Sequence, residues 1–310
     1  MVLRAGLILC LAAALVSAER GCPYPEEIEP CTCKQHGEYV DIQCSNMYDT
    51  EELLRVFENA RRYHFNKFTL MGSTLQYIPH EVFDDVEVKY MTMDNVTFRN
   101  TFDEVPSDPG LKELFARRVK VLAGWDWEKL SGFKNLERLI MLDMPLKKLS
   151  ADFSPNVSKK LKYLSFQWCS IRKLKDDEFA DFADLEEFEL SQDAIVDIKR
   201  TMFPRRTKLR SLAVEYNKIS AIPNDLFSDM PNLEYVAFKG NMISVLPEAT
   251  FQPVMPHLRY LDVRANPIKC DCLLVWVLQY RHLNLSGKCY KPKALYDKNF
   301  YELKPDDILC

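Results

Sequence analysis

The chain has 310 residues, of which 47% are hydrophobic and 28% charged, so it can bury a core and lacks the composition of a disordered protein. Its 41 lysines and arginines against 45 acidic residues give a formal charge of −4, which argues against a protein that mainly binds nucleic-acid phosphates. The 9 glycines form neither a GxGxxG nor a GxxxxGK[ST] string, which disfavours nucleotide chemistry.

The N-terminus has the pattern of a secretory signal peptide. Arg4 precedes an apolar run from Ala5 to Val16, and small residues precede the polar Glu19. We predict that residues 1–18 are removed, rather than forming a buried helix. No later segment has 18 uncharged apolar residues and no apolar tail precedes Cys310. The expected product is secreted, extracellular and soluble, with no membrane insertion.

Nine cysteines remain after the signal, and eight of them form two clusters at the ends of the chain. In an oxidising compartment each cluster predicts two disulfides, with three pairings open. Metal binding is the alternative, but the C-x-C spacing differs from the C-x₂₋₄-C of zinc sites. The clusters are Cys22, Cys31, Cys33 and Cys44, then Cys270, Cys272, Cys289 and Cys310, with Cys169 alone between them.

An internal repeat fills the region between the cysteine clusters. Each copy is apolar at positions 1, 4, 6 and 11 and has a special residue at position 9. The spacing of 23 to 25 residues is typical of extracellular leucine-rich repeats, in which positions 4 and 6 point inward from a short parallel strand. The copies begin at Phe65, Val88, Leu111, Leu136, Leu161, Leu185, Leu209, Leu233 and Leu258.

Position 9 is expected to hold asparagine, whose amide can bond free backbone groups of the turn and of the next coil. Only the last three repeats keep it, as Asn217, Asn241 and Asn266. The N-terminal half is therefore predicted to be less regular. Cys169 occupies the same position, which favours a buried structural thiol over a nucleophile or an intermolecular bridge.

Position 19, which is 18 residues after the start of each copy, carries a second column, which we predict to be a stack of buried phenylalanines under the convex loops rather than a binding stripe. Its members are Phe83, Phe179, Phe203, Phe227 and Phe251, with Phe153 one residue early.

The ends of the mature chain resemble the cysteine caps of extracellular leucine-rich repeat proteins. This resemblance implies the pairs Cys22 with Cys33, Cys31 with Cys44, Cys270 with Cys289, and Cys272 with Cys310. It also implies a C-terminal cap helix that begins at Asp271 and closes the core with Leu274, Val277 and Leu278. The expected fold is an α/β leucine-rich repeat solenoid, a curved horseshoe with parallel strands on its concave face and a mostly irregular convex side. Its predicted parts are the signal 1–18, an N-terminal cap and leading helix 19–64, nine repeats 65–269, and a C-terminal cap 270–310.

A narrower resemblance rests on the segment from Glu51 to Phe57 and on methionine and phenylalanine in early strand positions. It is similar to a group of secreted arthropod proteins related to the non-catalytic leucine-rich repeat subunit of deep-sea shrimp luciferase. The resemblance implies a non-enzymatic extracellular subunit or binding protein. It does not imply bioluminescence, because the matching residues are scaffold positions.

Enzyme motifs are missing from the sequence. The five histidines form no HExxH pair, and no GxSxG string provides a serine nucleophile. We therefore predict no catalytic residues, no metal site and no cofactor, although a triad of residues distant in sequence needs no local motif.

Strand positions 3, 5, 7 and 8 are predicted to face the concave side and to bind an extracellular protein. Aromatic and apolar side chains cluster there in repeats 3 to 5, followed by acidic and tyrosine residues. A one-residue slip of register is the competing interpretation. The candidate residues are Tyr90, Phe115, Ile140, Leu142, Tyr163, Trp168, Glu187, Glu189, Glu215, Tyr216, Tyr235 and Tyr260.

Three further features bear on function. Basic clusters at Arg117–Arg118, Lys159–Lys162 and Arg205–Lys208 raise a polyanion or glycosaminoglycan-binding alternative, which the net charge disfavours. Glycosylation sequons begin at Asn95, Asn156 and Asn284. A glycan on Asn95 would direct a partner to repeats 3 to 9. The two leading hypotheses are a binding module that acts through its concave face and a scaffold subunit that stabilises a separate catalytic or structural chain.

Overall fold

The computed structural model describes residues 21–61, 63–84, 86–107, 110–280 and 283–308. The predicted signal peptide, residues 1–18, lies outside these ranges. In the part of the chain that is described, no helix has both the length and the apolar character needed to cross a membrane.

Within the described residues the strands form a twelve-stranded sheet and a three-stranded sheet. The strands are β1 Thr32–His36, β2 Tyr39–Ser45, β3 Phe65–Met71, β4 Thr74–Leu75, β5 Val88–Asp94, β6 Thr97–Phe98, β7 Glu113–Arg117, β8 Lys120–Val121, β9 Arg138–Leu142, β10 Tyr163–Gln167, β11 Glu187–Ser191, β12 Ser211–Ala213, β13 Tyr235–Ala237, β14 Tyr260–Asp262 and β15 Asn284–Ser286. The large sheet runs β1-β2-β3-β5-β7-β9-β10-β11-β12-β13-β14-β15, and only its first pair is antiparallel. This is the predicted leucine-rich repeat solenoid, extended beyond the nine repeat strands by β1, β2 and β15.

Short helices connect the strands on the opposite side. The α-helices are α1 Pro25–Ile28, α2 Thr50–Asn59, α3 Phe153–Asn156 and α4 Glu248–Phe251, and the 3-10 helices are His80–Phe83, Glu128–Leu130, Arg200–Met202, Cys272–Leu278, Lys293–Leu295, Phe300–Glu302 and Pro305–Asp307. Helix α2 begins where Asp49 accepts the backbone N–H of Glu51 at 3.0 Å. Its buried Phe57 packs against Phe68 of β3, with ring centroids 4.8 Å apart, and so closes the N-terminal end of the core.

A left-handed residue ends almost every strand of the large sheet. These residues are Asn46 after β2 and the residue at position 8 of each of the nine repeats, and they have φ between 52° and 70°. Left-handed backbone turns the chain out of the sheet after the same number of residues in each coil. The residues are Asn46, Gly72, Asn95, Arg118, Asp143, Trp168, Gln192, Tyr216, Gly240 and Ala265.

The expectation of a less regular N-terminal half is wrong for the backbone. Strands β3 and β5 have 7 residues each, whereas β12, β13 and β14 have 3. In the first three repeats, which lack the asparagine, β4, β6 and β8 pair directly, as when Lys120 N donates to Val96 O at 2.9 Å. Backbone hydrogen bonds therefore join these coils without a side-chain amide.

The asparagines of the last three repeats bind the preceding coil, and not the next coil as expected. Asn241 Nδ2 donates to Val214 O at 2.8 Å, and Asn241 Oδ1 accepts the N–H of Ile219 at 3.1 Å. Asn217 and Asn266 repeat this pattern one coil away on either side. Each amide thus satisfies a donor and an acceptor that would otherwise be buried unpaired.

The phenylalanine column is buried and its rings are in contact. Phe153 and Phe179 lie 6.2 Å apart between centroids, and Phe227 and Phe251 lie 5.3 Å apart. Repeats 2 and 3 lack a phenylalanine at position 19, and the sequence pattern predicts no other ring in its place. The structure fills this gap with three other rings. They are Phe102, Phe133 and Trp127, and Trp127 contacts Phe153 at 4.7 Å.

Disulfides hold the two ends. Cys22 is bonded to Cys33, Cys31 to Cys44, and Cys270 to Cys289, and these are pairs that the family resemblance implies. Cys272 is also disulfide-bonded, whereas its implied partner Cys310 lies outside the described residues. Cys169 is free and fully buried at position 9.

The C-terminal cap begins with a 3-10 helix, where Asp271 accepts the N–H of Leu273 at 3.0 Å. Leu274 and Val277 are buried as predicted, while Leu278 is only partly buried. Trp276, which the sequence analysis did not place, is buried and donates from Nε1 to Leu246 O at 2.9 Å. The indole therefore joins the cap to the last repeats.

Candidate interaction surface

The outward side of the large sheet, which we call the concave face, carries the side chains of positions 3, 5 and 7. On β9, Leu139 and Met141 are buried, while Ile140 and Leu142 between and beyond them are partly exposed. The same alternation runs through β7, where Phe115 stands between buried Leu114 and Ala116.

Three of the predicted contact residues form one apolar patch. Phe115 and Ile140 are directly opposite each other on β7 and β9, and Leu142 is opposite Arg117. All three are partly exposed, in contrast to the buried residues beside them. The patch is thus a continuous apolar area on two neighbouring strands.

Two other predicted aromatic residues, Tyr163 and Trp168, lie on and just after the neighbouring strand β10. Tyr163 packs under the Arg138 guanidinium, which is 4.1 Å from the ring centroid. Burial, followed by the charge of Glu189, raises the pKa of Tyr163. Trp168 is 52% exposed at the end of β10, so it is the largest accessible ring of the group. Tyr90 is exposed on β5, opposite Glu113 and away from the patch.

Ion pairs lie on both sides of the apolar patch, and the sequence analysis did not identify them. Opposite charges at the same position of neighbouring coils could have indicated them, since such residues meet across adjacent strands. The pairs are Arg117 and Arg118 with Asp94, Arg138 with Glu113 at 2.8 Å, and Lys112 and Lys162 with Glu137 at 2.9 and 2.7 Å. Hydrogen bonds from Arg117, and then from Arg118, lower the pKa of Asp94 although burial opposes this.

The predicted basic clusters are largely paired with nearby acceptors. Lys159 lies 3.4 Å from Asp181, and Lys208 lies 2.7 Å from Asp184. Together with the pairs of Arg117 and Lys162, these contacts neutralise part of the positive charge that a polyanion would bind.

The predicted acidic and tyrosine residues occupy the C-terminal part of the same face. Glu187 and Glu189 are on β11, and Glu215 follows β12. Tyr235 and Tyr260 stack, with centroids 4.6 Å apart and an angle of 7° between ring planes. Tyr216 is 38% exposed, and Lys239 Nζ lies 5.1 Å from its ring centroid.

The three sequons are in different surroundings. Asn95 is exposed at the end of β5, and Asn284 is exposed on β15 directly opposite Tyr260. Asn156 is only partly exposed, and its Nδ2 donates to Asp152 O at 2.9 Å. A glycan on Asn95 and another on Asn284 would therefore flank the concave face at its two ends.

One group of potential metal ligands occurs among the described residues. The ligand atoms of His80, Glu81 and Asp103 lie within 4.8 Å of one another. Asp103 already accepts both the backbone N–H and the ring of His80, at 2.9 and 3.2 Å. Burial opposes the charge on His80, but the bond to Asp103 and the charge of Glu81 raise its pKa. A His–Asp hydrogen bond that caps the helix at His80 accounts for the arrangement without a metal.

Comparisons with known proteins agree with this architecture. The family model for Leucine rich repeat matches residues 207–268. The Oplophorus-luciferin 2-monooxygenase non-catalytic subunit of Oplophorus gracilirostris is 22% identical, over 96% of this chain and 93% of that protein. Peroxidasin homolog pxn-2 of Caenorhabditis elegans is 32% identical, over 33% of this chain and 8% of that protein. A solved structure of a TLR13–ssRNA13 complex has a TM-score of 0.64 at 21% identity, over 77% of this chain and 34% of that chain.

The repeats, the long mostly parallel sheet and the disulfide-bonded ends define a leucine-rich repeat protein with cysteine caps. Within that class, the chain is related to the group that includes the Oplophorus luciferase non-catalytic subunit. The likeness to the TLR13 structure concerns the fold alone.

Proposed function

We propose that this is a secreted, non-enzymatic protein that binds an extracellular protein partner through its concave face. The observation that carries the proposal is the apolar patch of Phe115, Ile140 and Leu142, with ion pairs on both sides. An apolar centre within a polar rim is the usual anatomy of a protein–protein interface. Trp168 adds an exposed aromatic anchor beside it.

Secretion is supported by the cysteines. Disulfides within the caps form and persist in oxidising compartments, and they staple terminal segments that cannot close a core alone. The non-enzymatic role is supported by the likeness to a subunit whose name describes it as non-catalytic.

A second candidate function is that of a scaffold subunit of a secreted enzyme complex. The likeness to the Oplophorus subunit favours it because it extends over 96% of this chain. A scaffold subunit would require a stoichiometric partner, whereas a free binding protein would also be secreted alone.

Size-exclusion chromatography with mass analysis of the natively secreted protein tests both candidates. A complex of fixed stoichiometry supports the scaffold subunit, and a mixture of free and bound chains supports the binding protein. A homogeneous monomer that captures no protein from the extracellular fluid of its source contradicts both.

A further inference from the structure

A notch in the concave face is centred on β12, three strands away from β9 of the apolar patch. Strand β12 presents only Ser211 and Ala213, whose side chains are small. Ser211 stands between Glu187 of β11 and Tyr235 of β13, and Ala213 is opposite Glu189. Neighbouring strands are about 4.8 Å apart, so the outer walls of this acidic notch are roughly 10 Å apart at the backbone. A flat polar group fits between them.

The carboxylates of the acidic notch are not neutralised by the protein. Among the described residues, no lysine or arginine forms an ion pair with Glu187, Glu189 or Glu215, unlike the acidic residues near the apolar patch. Glu189 only accepts hydrogen bonds from the hydroxyls of Tyr163 and Ser165, both at 3.3 Å. The notch therefore keeps unpaired negative charge.

The nearby cations are engaged elsewhere. Arg264 is bound to Asp262, and Lys239 lies over the ring of Tyr216. Burial, followed by the charge of Asp262, raises the pKa of Glu215, and the charge of Glu189 adds to this effect, whereas Lys239 and Arg264 oppose it. The negative charges of Asp262 and Glu189 therefore affect the pKa of Glu215 more than the two cations do. A cation bound in the notch would reduce this repulsion between carboxylates.

The opposite wall of the notch is aromatic. Tyr235 stacks on Tyr260, so its ring is held in one orientation beside Ser211. The Tyr260 hydroxyl is fixed in turn by Asp262, at 3.2 Å. A rigid phenol ring facing unpaired carboxylates is the chemistry that recognises a guanidinium group, which stacks on a ring and also binds carboxylates in its plane.

We propose that the acidic notch of Glu187, Glu189, Ser211, Ala213, Glu215 and Tyr235 binds an arginine side chain of the protein partner. This proposal rests on the proposed function. The floor of the notch, β12, is three strands from Ile140 on β9, or about 14 Å, which about four residues of extended chain can span. The partner segment therefore carries an apolar side chain for the patch and an arginine about four residues away.

The test uses a hexa-arginine peptide as the probe, because the partner is unidentified. Isothermal titration calorimetry on the intact secreted protein at 150 mM salt is expected to detect binding, which the double variant E189Q/E215Q weakens at least tenfold. The matched control is E26Q/D306N, which removes two exposed carboxylates far from the notch and should change the affinity less than twofold. Tyr235→Ala should lower the affinity for hexa-arginine several-fold. Hexa-lysine should bind the unaltered protein more weakly than hexa-arginine does.

Equal weakening by the two double variants would mean unspecific attraction and would overturn the proposal, as would an absence of binding to the unaltered protein. Equal affinity for hexa-lysine would overturn the assignment to arginine. Thermal melts of every variant establish that the fold is retained. Peptide binding tests the notch, and capture of the partner by Phe115→Ala tests the apolar patch, so failure of the notch and failure of the apolar patch give different results.

Discussion

Asp193 accepts the backbone N–H of Ile171 through Oδ1 at 2.8 Å, as Asn217 does for Ile195 one coil later. Asp193 Oδ2 is buried and has no hydrogen-bond partner among the described residues. In the asparagine repeats this place is taken by an amide N–H that donates to a carbonyl. Burial raises the pKa of Asp193 to about 6 from its ordinary 3.8, although backbone hydrogen bonds oppose the shift. Among the position 9 residues, Asp193 therefore carries a buried charge and an unsatisfied oxygen that asparagine would avoid.

We expect Asp193→Asn to stabilise the protein at pH 7.5 by about 1 to 3 kcal/mol, because it restores a donor and removes a buried charge. The folded pKa lies above the unfolded value, so the native state binds more protons. The loss of folding free energy caused by burying the ionised carboxylate is then absent below about pH 3.8 and complete above about pH 6. Urea unfolding at pH 4 and at pH 7.5 measures the difference. An equal gain at both pH values, or the same gain from the exposed control Asp177→Asn, would show that burial of Asp193 is not the cause.

Asn241→Ala should destabilise the protein by about 1 to 3 kcal/mol, because it leaves Val214 O and Ile219 N without their partner. Chemical denaturation measures the loss. Ser220→Ala, at an exposed position in the preceding repeat, is the control and should stay within about 0.5 kcal/mol. An unfolding transition of Asn241→Ala at the same denaturant concentration as the unaltered protein would contradict a stabilising role of these hydrogen bonds.

Phe227→Ala should cost about 3 to 5 kcal/mol by opening a cavity beside Phe251 in the phenylalanine column. Val196, which is 57% exposed, is the matched position where loss of an apolar side chain should matter little. Thermal melting of both alanine variants tests this. Similar melting temperatures for the Phe227 and Val196 variants would mean that the phenylalanine column does not stabilise the core.

The sequence predicted the solenoid because each coil repeats the same inward positions, as Leu212 and Val236 do in successive strands. It could not predict Trp127 in the phenylalanine column, because Trp127 lies two positions before position 19 of its repeat. The left-handed backbone of Trp168 and Tyr216 was also missed, since bulky residues rarely adopt it and only the coil geometry requires it. The candidate surface residues could be predicted from the alternation of buried and exposed side chains along the strands. The ion pairs beside them were not predicted, because an ion pair depends on which charged residues are opposite each other on neighbouring coils.

The cysteines give a chemical prediction. Burial, followed by the charge of Asp193, raises the pKa of Cys169 to about 12, so the thiol should resist alkylation in the native state. Peptide mapping after iodoacetamide treatment at pH 8 should find Cys169 labelled only when the protein is unfolded first. The same maps should contain bridges only within each cap. A bridge that involves Cys169, or one that joins the two ends, would contradict the role of the caps.

The most direct test of concave-face binding is partner capture by immobilised variants from the extracellular fluid of the source, quantified by mass spectrometry. Trp168→Ala and Phe115→Ala should each reduce recovery of a specific partner at least tenfold, because interface anchors typically contribute about 2 kcal/mol or more. Leu122→Ala removes a side chain that is 64% exposed and lies beyond β8, outside the large sheet, and it should leave capture unchanged. Folded variants that all recover the partner equally would contradict binding at the concave face.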